Sequence, residues 1–273
     1  MRGRSDPAVT LRPLASPEDY AACVELQLAT WGESFGEAVP GSILKICQKV
    51  GGVAAGAFEP GGRLLGFVFG LTGVRHGRLA HWSHMLAVHP AARDLGLGTR
   101  LKLFQRDLLL PVGVESVLWT FDPLEARNAH LNLNRLGAEV LEYVEDMYAG
   151  EMGSELAKGI GTDRFIVDWR IGGERVRRAL AGELPPDGER FGTAPLAGMA
   201  PPAAGDELPE APRVRIEIPA NVQERKADDL EAAVAWRAAT RRAFESYLAR
   251  GYRVATFYRD RETGRCFYGL EKG

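Results

Sequence analysis

The stretch LAVHPAARDLGLGTRL, residues 86–101, decides how this chain is expected to fold. Its apolar start predicts a strand, and its end predicts a helix that begins at Thr99. Between the two, Gly96 and Gly98 let backbone amides turn inward with no side chain in the way. A helix N-terminus adds unpaired N–H groups and about half a positive charge. The stretch therefore predicts an anion cradle suited to a diphosphate, with Arg93 adding a charge-assisted contact.

The flanking sequence changes repeatedly between strand-like and helix-like periodicity. Strands are predicted over residues 9–14, 52–58, 64–71, 81–88, 115–121, 140–148 and 164–171, and helices over 16–31, 42–50, 99–110 and 125–136. The turn EPGG at residues 59–62 favours a hairpin between the second and third strands. This order of elements predicts an α/β fold with a mixed sheet.

The composition changes twice along the chain. Residues 1–181 carry the elements above and are expected to form one domain. Residues 182–212 are rich in Pro, Ala and Gly, which predicts a mobile surface linker. Residues 213–273 predict a strand, a helical region that breaks near Asp228, and two closing strands. We therefore expect a C-terminal βαββ segment after the linker.

The net charge and the amino-acid composition of the chain argue against several classes of function. A net charge of −2 and a pI near 6.3 disfavour a general binder of nucleic acid or anionic membranes. No apolar run approaches the ~20 residues that cross a bilayer. Cys23, Cys47 and Cys266 lack metal-ligand spacing, and the histidines complete no ligand set. We expect free thiols, no metal and a cytoplasmic location.

The spacing Arg-x-x-Gly-x-Gly, placed after a strand and opening a helix, is more specific than two glycines alone. With Arg93, Gly96 and Gly98 it resembles the acyl-CoA loop of the GNAT superfamily of N-acetyltransferases. The resemblance covers residues 9–171 and implies a mixed, mostly antiparallel sheet with helices on both faces. An ordinary glycine turn between strand and helix is the alternative.

The resemblance also implies which residues contact the coenzyme. The loop holds the diphosphate, the strand before it orients the pantetheine, and a helix asparagine contacts the pantetheine or phosphate arm. The residues implied in this way are Leu86, Ala87, Val88, Arg93, Asp94, Leu95, Gly96, Leu97, Gly98, Thr99 and Asn128. Taken alone, Asn128 also fits a solvated polar residue of a helix. Residues 83–86, 119–123 and 162–164 further resemble a subfamily of uncharacterised predicted acetyltransferases.

One position departs from the family pattern. Many GNAT enzymes have a tyrosine four residues before the glycine that closes the second motif, where it protonates the departing thiolate. Here that position is Leu133. A thiol pKa near about 8.5 makes unassisted departure tolerable. Alternatively, Tyr247 replaces the tyrosine, since it stands four residues before Gly251 and residues 213–273 resemble a degenerate half repeat. An unrelated appendage fits the same pattern.

Acyl transfer to an amine needs a base, because the attacking nitrogen must be neutral. His84 lies on the strand before the loop, where many relatives carry a glutamate, and imidazole titrates near neutrality. Asp122 is the rival, since it follows residues 115–121 and strand ends tend to line ligand crevices. Each has an ordinary alternative, a structural histidine for His84 and a turn at Asp122-Pro123.

The sequence therefore predicts an acyl-CoA-dependent N-acyltransferase that moves an acetyl, succinyl or other acyl group to an amine. The expected acceptor is a small molecule such as an amino acid, and a second copy of the chain is a candidate partner. Neither nucleic acid nor membrane is expected as a partner. Two other functions stay open, an acyl-CoA sensor without catalysis and a protein-interaction module on a GNAT scaffold.

Overall fold

The computed structural model describes residues 9–33, 35–93, 95–148, 158–184, 188–198 and 207–273. These residues form two compact units. The first unit contains the described residues up to Trp119 together with Arg170–Gly172, and the second contains the others.

The first unit is built on a mixed sheet. Strands β1 (Thr10–Pro13), β2 (Val53–Phe58), β3 (Leu64–Arg75) and β4 (Arg78–Val88) pair in this order as antiparallel neighbours. Strand β5 (Ser116–Phe121) pairs with β4 in parallel, and its last two residues belong to the second unit.

Three helices cover both faces of this sheet: α1 (Pro17–Trp31), α2 (Gly41–Lys49) and α3 (Leu97–Leu109). Helices α1 and α2 share an apolar core with the sheet that includes Leu44 and Phe67. Helix α3 packs on the other face, where a Cβ atom at Gly66 would lie 3.2 Å from Leu101. Gly66 and Phe67 are neighbours on β3, so their side-chain positions face opposite sides.

Helix α1 begins where the sequence predicts, because its first turn is capped. The Ser16 hydroxyl accepts a hydrogen bond from the Asp19 amide, and the Asp19 carboxylate accepts one from the Ser16 amide. Arg12 pairs with the same carboxylate at 2.6 Å. The hydrogen bonds from Arg12 lower the pKa of Asp19 to about 2 despite its partial burial.

The second unit contains a hairpin, a second sheet and the remaining helices. Its helices are α4 (Ala126–Ala129), which continues as a π-helical turn (His130–Arg135), α5 (Glu174–Leu180), α6 (Gly188–Phe191), α7 (Val222–Asp228) and α8 (Leu230–Ala249). Its strands are β6 (Glu139–Val144), β7 (Arg164–Arg170), β8 (Leu196–Ala197), β9 (Arg213–Ile218), β10 (Tyr252–Arg259) and β11 (Cys266–Lys272). Strands β6 and β7 are antiparallel, and the second sheet has the order β10-β11-β9-β8.

An aromatic core joins the C-terminal segment to the hairpin of the second unit. The ring centroid of Phe165 on β7 lies 4.8 Å from that of Phe244 on α8 and 5.6 Å from that of Tyr268 on β11. The predicted boundaries at residues 181 and 212 therefore do not separate the units, which divide within β5 instead. Shared apolar burial, which composition does not reveal, determines that division.

The predicted linker contributes structure to this unit where it is described. Leu196–Ala197 pairs in parallel with β9, and Phe191 is fully buried beside Tyr258 and Phe267. The prediction of a mobile linker over residues 182–212 is therefore wrong for this part, because a buried aromatic side chain and strand pairing hold it. Residues 185–187 and 199–206 lie outside the described residues.

The predicted fold class is confirmed. The structure is an α/β fold with a mostly antiparallel sheet, helices on both faces, and a small second sheet near the C-terminus. The break in the last helical region lies at Asp229, between α7 and α8. Within the described ranges, no helix combines the length and apolar character that a bilayer crossing demands.

Candidate active site

The glycine loop places a left-handed residue directly before helix α3. Gly96 has φ 66° and ψ 13°, a left-handed conformation that favours glycine. Helix α3 starts at the next residue, and no side chain caps its first N–H groups. Arg93 follows a short 3₁₀ turn and is exposed, while Asp94 lies outside the described residues. The start of α3 therefore offers unpaired amide donors next to a cation.

Gly98 is not required by the fold itself. Its backbone is outside the left-handed region, and an added Cβ atom would lie 3.7 Å from the nearest heavy atom, Leu86 Cδ2, which is an ordinary contact. A glycine inside a helix costs about 1 kcal/mol relative to alanine. Packing within the described residues would therefore accept an alanine here, and a glycine leaves the backbone accessible to a ligand.

One edge of β4 is open beside this loop. Strand β4 pairs with β5 only over Ala80–Trp82, opposite Ser116–Leu118, whereas its pairing with β3 continues to Val88. In an antiparallel strand every second residue directs its N–H and C=O groups to the far edge. The stretch with the predicted pantetheine contacts Leu86, Ala87 and Val88 thus lies beyond the last β5 pairing.

A β-bulge at His84 divides the side chains of β4 between the two faces. Met85 is opposite Phe69 and Ser83 is opposite Gly70, so His84 is the extra residue. Beyond the bulge Met85 packs in the core with α1 and α2, whereas Ser83 bonds to α3. The His84 ring lies 6.1 Å from the Phe69 ring, on the α1 and α2 face.

His84 has the protonation state that a general base needs. It is half-buried, and this burial lowers the pKa of its imidazole below the usual 6.5. The ring is therefore neutral at pH 7 and is able to accept a proton.

Asp122, the rival base, is held in ion pairs within the second unit. Its carboxylate lies 2.6 Å from Arg237 and 3.7 Å from Arg164, and it accepts a hydrogen bond from the Leu124 amide. Its carboxylate oxygens are therefore already engaged by a guanidinium and by a backbone amide.

Tyr247 and Leu133 offer no proton donor. The Tyr247 ring is fully buried, and its hydroxyl donates to the Pro209 carbonyl at 2.8 Å. Leu133 is buried in the π-helical turn. Asn128 lies on α4 and its side chain is exposed.

The sequence prediction missed a buried polar chain in the first unit. It runs from α3 to β3 through Lys102, Ser83, Gln105, His81 and Thr72. Lys102 and Gln105 stand three residues apart, on the helix face that also buries Leu101 and Leu109. Polar residues at helical spacing inside an apolar stripe were the signal that would have found them.

Searches against protein-family models and against curated proteins return no match. The solved structures similar to this chain include the ribosomal-protein-S18-alanine N-acetyltransferase from Escherichia coli, with 19% identity, 61% of this chain and 97% of that chain covered, and a TM-score of 0.45. A putative acetyltransferase from Salmonella typhimurium with its cofactor acetyl-CoA has 19% identity, 60% and 94% coverage, and a TM-score of 0.46. Naa50 from Arabidopsis thaliana, in complex with a bisubstrate analogue, has 12% identity, 59% and 97% coverage, and a TM-score of 0.46. Such distant similarities do not identify which residues of this chain bind a ligand.

Proposed function

We propose that this chain is an acyl-CoA-dependent N-acyltransferase that transfers an acyl group to the amine of a small molecule. The observation that carries the proposal is the uncapped start of α3, where Gly98 exposes the backbone next to the open edge of β4. A diphosphate fits the start of α3, because amide donors and a helix dipole favour negative charge. An extended, amide-containing arm fits the open edge of β4, because strand edges pair with such chains.

The acyl group and the acceptor are proposed from chemistry alone. Acetyl is the simplest acyl group, and succinyl or longer groups are alternatives for the same loop. A small amine is proposed because the chain has no acidic tract that would bind basic protein tails.

His84 supplies the base in this proposal. Its neutral imidazole at the β4 bulge takes the proton that the attacking amine must lose. The open edge of β4 positions the thioester arm, and the loop from Arg93 to Gly98 binds the charged end. A non-catalytic sensor is the second candidate, and the buried Leu133 at the usual position of the acid favours it.

Binding of coenzyme A tests the loop directly. At about 100 times its dissociation constant, the ligand should stabilise the fold by about 2.7 kcal/mol and raise the melting temperature. Gly98→Asp should abolish this shift, because it places a carboxylate among the amide donors. Gly61→Asp is the matched control, since Gly61 stands in an exposed turn with open space around its Cβ position.

Two results would contradict the proposed site. One is a melting temperature that neither coenzyme A nor acetyl-CoA changes at millimolar concentration. The other is an equal loss of binding in Gly98→Asp and Gly61→Asp. Turnover of acetyl-CoA and succinyl-CoA against a panel of amines, read as free thiol, then separates an enzyme from a sensor that only binds.

A further inference from the structure

Lys102 is a buried cation with an unusual set of partners. It lies on α3 with 5% of its surface exposed, and its Nζ donates a hydrogen bond to Ser83 Oγ at 2.7 Å. The same nitrogen lies 3.8 Å from the centroid of the Trp119 ring. Among the described residues, no carboxylate forms an ion pair with it.

The hydrogen bonds around Lys102 have only one consistent direction. Thr72 donates its single hydroxyl proton to the Gly51 carbonyl, so its oxygen accepts from His81 Nδ1. His81 Nε2 then accepts from the Gln105 amide, whose oxygen accepts from Ser83. Ser83 has no proton left for Lys102 and serves only as its acceptor.

This chain positions Lys102 without neutralising it. Burial, followed by the charge of Lys102, lowers the pKa of His81 to about 3, so His81 carries no charge near pH 7. Thr72, Gln105 and Trp119, the other groups that reach this chain from β3, α3 and β5, are uncharged. Burial lowers the pKa of Lys102 from 10.5 to about 7. An apolar residue of similar length would pack here without this penalty, so stability alone does not explain the lysine.

Lys102 stands where β4 and β5 stop pairing. Helix α3 runs along β4 with Gly98 above Leu86, Lys102 above Ser83 and Gln105 next to His81. Ser83 and Trp119 are the first residues after the last paired residues of the two strands. Because Gly98 and Lys102 are four residues apart, they share one face of α3, separated by one turn. Along the open edge of β4, the glycine loop therefore lies beside Leu86, and Lys102 lies one helical turn away beside Ser83.

We propose that Lys102 donates the proton to the thiolate that leaves during acyl transfer. This inference rests on the proposed function and supplies the acid that Leu133 and Tyr247 do not. Lys102 faces the open stretch of β4 from the α3 side, and His84 faces it from the side of α1 and α2. The two groups thus approach the thioester from opposite faces of the sheet.

The step balances with these two groups alone. The amine nitrogen forms a bond to the carbonyl carbon, and the proton it loses passes to His84. The carbon–sulfur bond then breaks, its electron pair stays on sulfur, and one proton of the Lys102 ammonium moves to that sulfur. The products are an amide, a free thiol, protonated His84 and neutral Lys102. Proton exchange with water restores both side chains.

The titration of bound coenzyme A tests this role without any acceptor amine. The ultraviolet absorbance of the thiolate is followed against pH, as the difference between spectra with and without coenzyme A. In the wild type, the fraction of Lys102 that is still protonated should stabilise the bound thiolate, so the thiol pKa should lie measurably below about 8.5. In Lys102→Met the thiol pKa should stay at or above about 8.5, because apolar surroundings disfavour the thiolate. Lys45→Met, which changes an exposed lysine, should behave as the wild type.

The outcomes separate this inference from the proposed function. Coenzyme A that binds the wild type with an unshifted thiol pKa overturns the role of Lys102 and leaves the proposed function intact. No binding at all overturns both. A shifted thiol pKa that persists in Lys102→Met also overturns the role of Lys102.

Turnover gives a second test. For an amine that the panel identifies, Lys102→Met should lower kcat by about 10² or more with the KM for acetyl-CoA little changed. An unaltered kcat contradicts proton donation.

Discussion

Each of the two units buries a cation, and the two cations differ in the partners that surround them. In the second unit, Arg237 is buried with Asp122 at 2.6 Å and Asp163 at 4.0 Å, and its Nε donates to the Ile160 carbonyl. In the first unit, the partners of Lys102 are a hydroxyl and an aromatic ring, and no carboxylate among the described residues pairs with it. Burial alone would lower the pKa of Arg237, but the charge of Asp122 and its hydrogen bond raise it.

The difference separates a structural cation from a functional one. Arg237 belongs to a compensated network, in which Arg241 and Tyr143 also donate to Asp163 and lower the pKa of that carboxyl against the effect of burial. For Lys102, no carboxylate among the described residues offsets the free-energy cost of removing its ammonium from water. The fold fixes the position of the ammonium without neutralising its charge. A buried charge that the protein leaves uncompensated is the one that a substrate is expected to use.

The largest expected effect comes from the compensated network. Arg237→Met should lower the free energy of unfolding by about 3–5 kcal/mol, because it removes the buried cation that pairs with Asp122 and lies 4.0 Å from the buried Asp163. Urea denaturation at pH 7 measures this. Arg63→Met is the control, because the Arg63–Glu59 pair is exposed and should contribute less than about 1 kcal/mol. Equal losses in the two variants would mean that the network is not structural.

Lys102→Met should change the free energy of unfolding in the opposite direction. At pH 7 it should raise the free energy of unfolding by about 1–4 kcal/mol, since a methionine avoids burying the charge. The pKa of Lys102 is about 7 in the folded chain and near 10.5 when unfolded, so the unfolded chain binds more protons between these values. Wild-type stability should therefore rise with pH across this window, and the advantage of the variant should shrink toward about pH 10. Urea denaturation at several pH values, with Lys45→Met as control, measures both effects. A variant as damaged as Arg237→Met would show that Lys102 is structural after all.

The smallest expected effect concerns the hydroxyl that positions Lys102. Ser83→Ala removes the acceptor of Lys102 and the donor to Gln105, which should destabilise the fold by about 1–3 kcal/mol. Coenzyme A should still bind, because Gly96 and Gly98 are unchanged. Denaturation of Ser83→Ala and of the double variant with Lys102→Met measures the coupling. If the changes in the free energy of unfolding of the two single variants simply add in the double variant, the serine does not act on the lysine.

Most elements and the loop could be predicted because their signals are local. The capped start of α1, the turn before β3, and the glycines before α3 act over a few residues, and the structure reproduces each of them. The division between the units could not be predicted, because Phe165 meets Phe244 and Tyr268 across a long stretch of chain. Phe191, buried within the predicted linker, has the same explanation.

The sequence by itself determined the α/β class, the order of the elements and the position of the glycine turn before α3, since periodicity and glycine placement encode them within short windows. Only the tertiary structure decided the roles of individual polar residues. It paired Asp122 with Arg237, turned Tyr247 toward a backbone carbonyl, and buried Lys102 where two strands separate. Whether a charged or hydroxyl group is free to react depends on the neighbours that desolvate and pair it, and those neighbours come from distant parts of the chain.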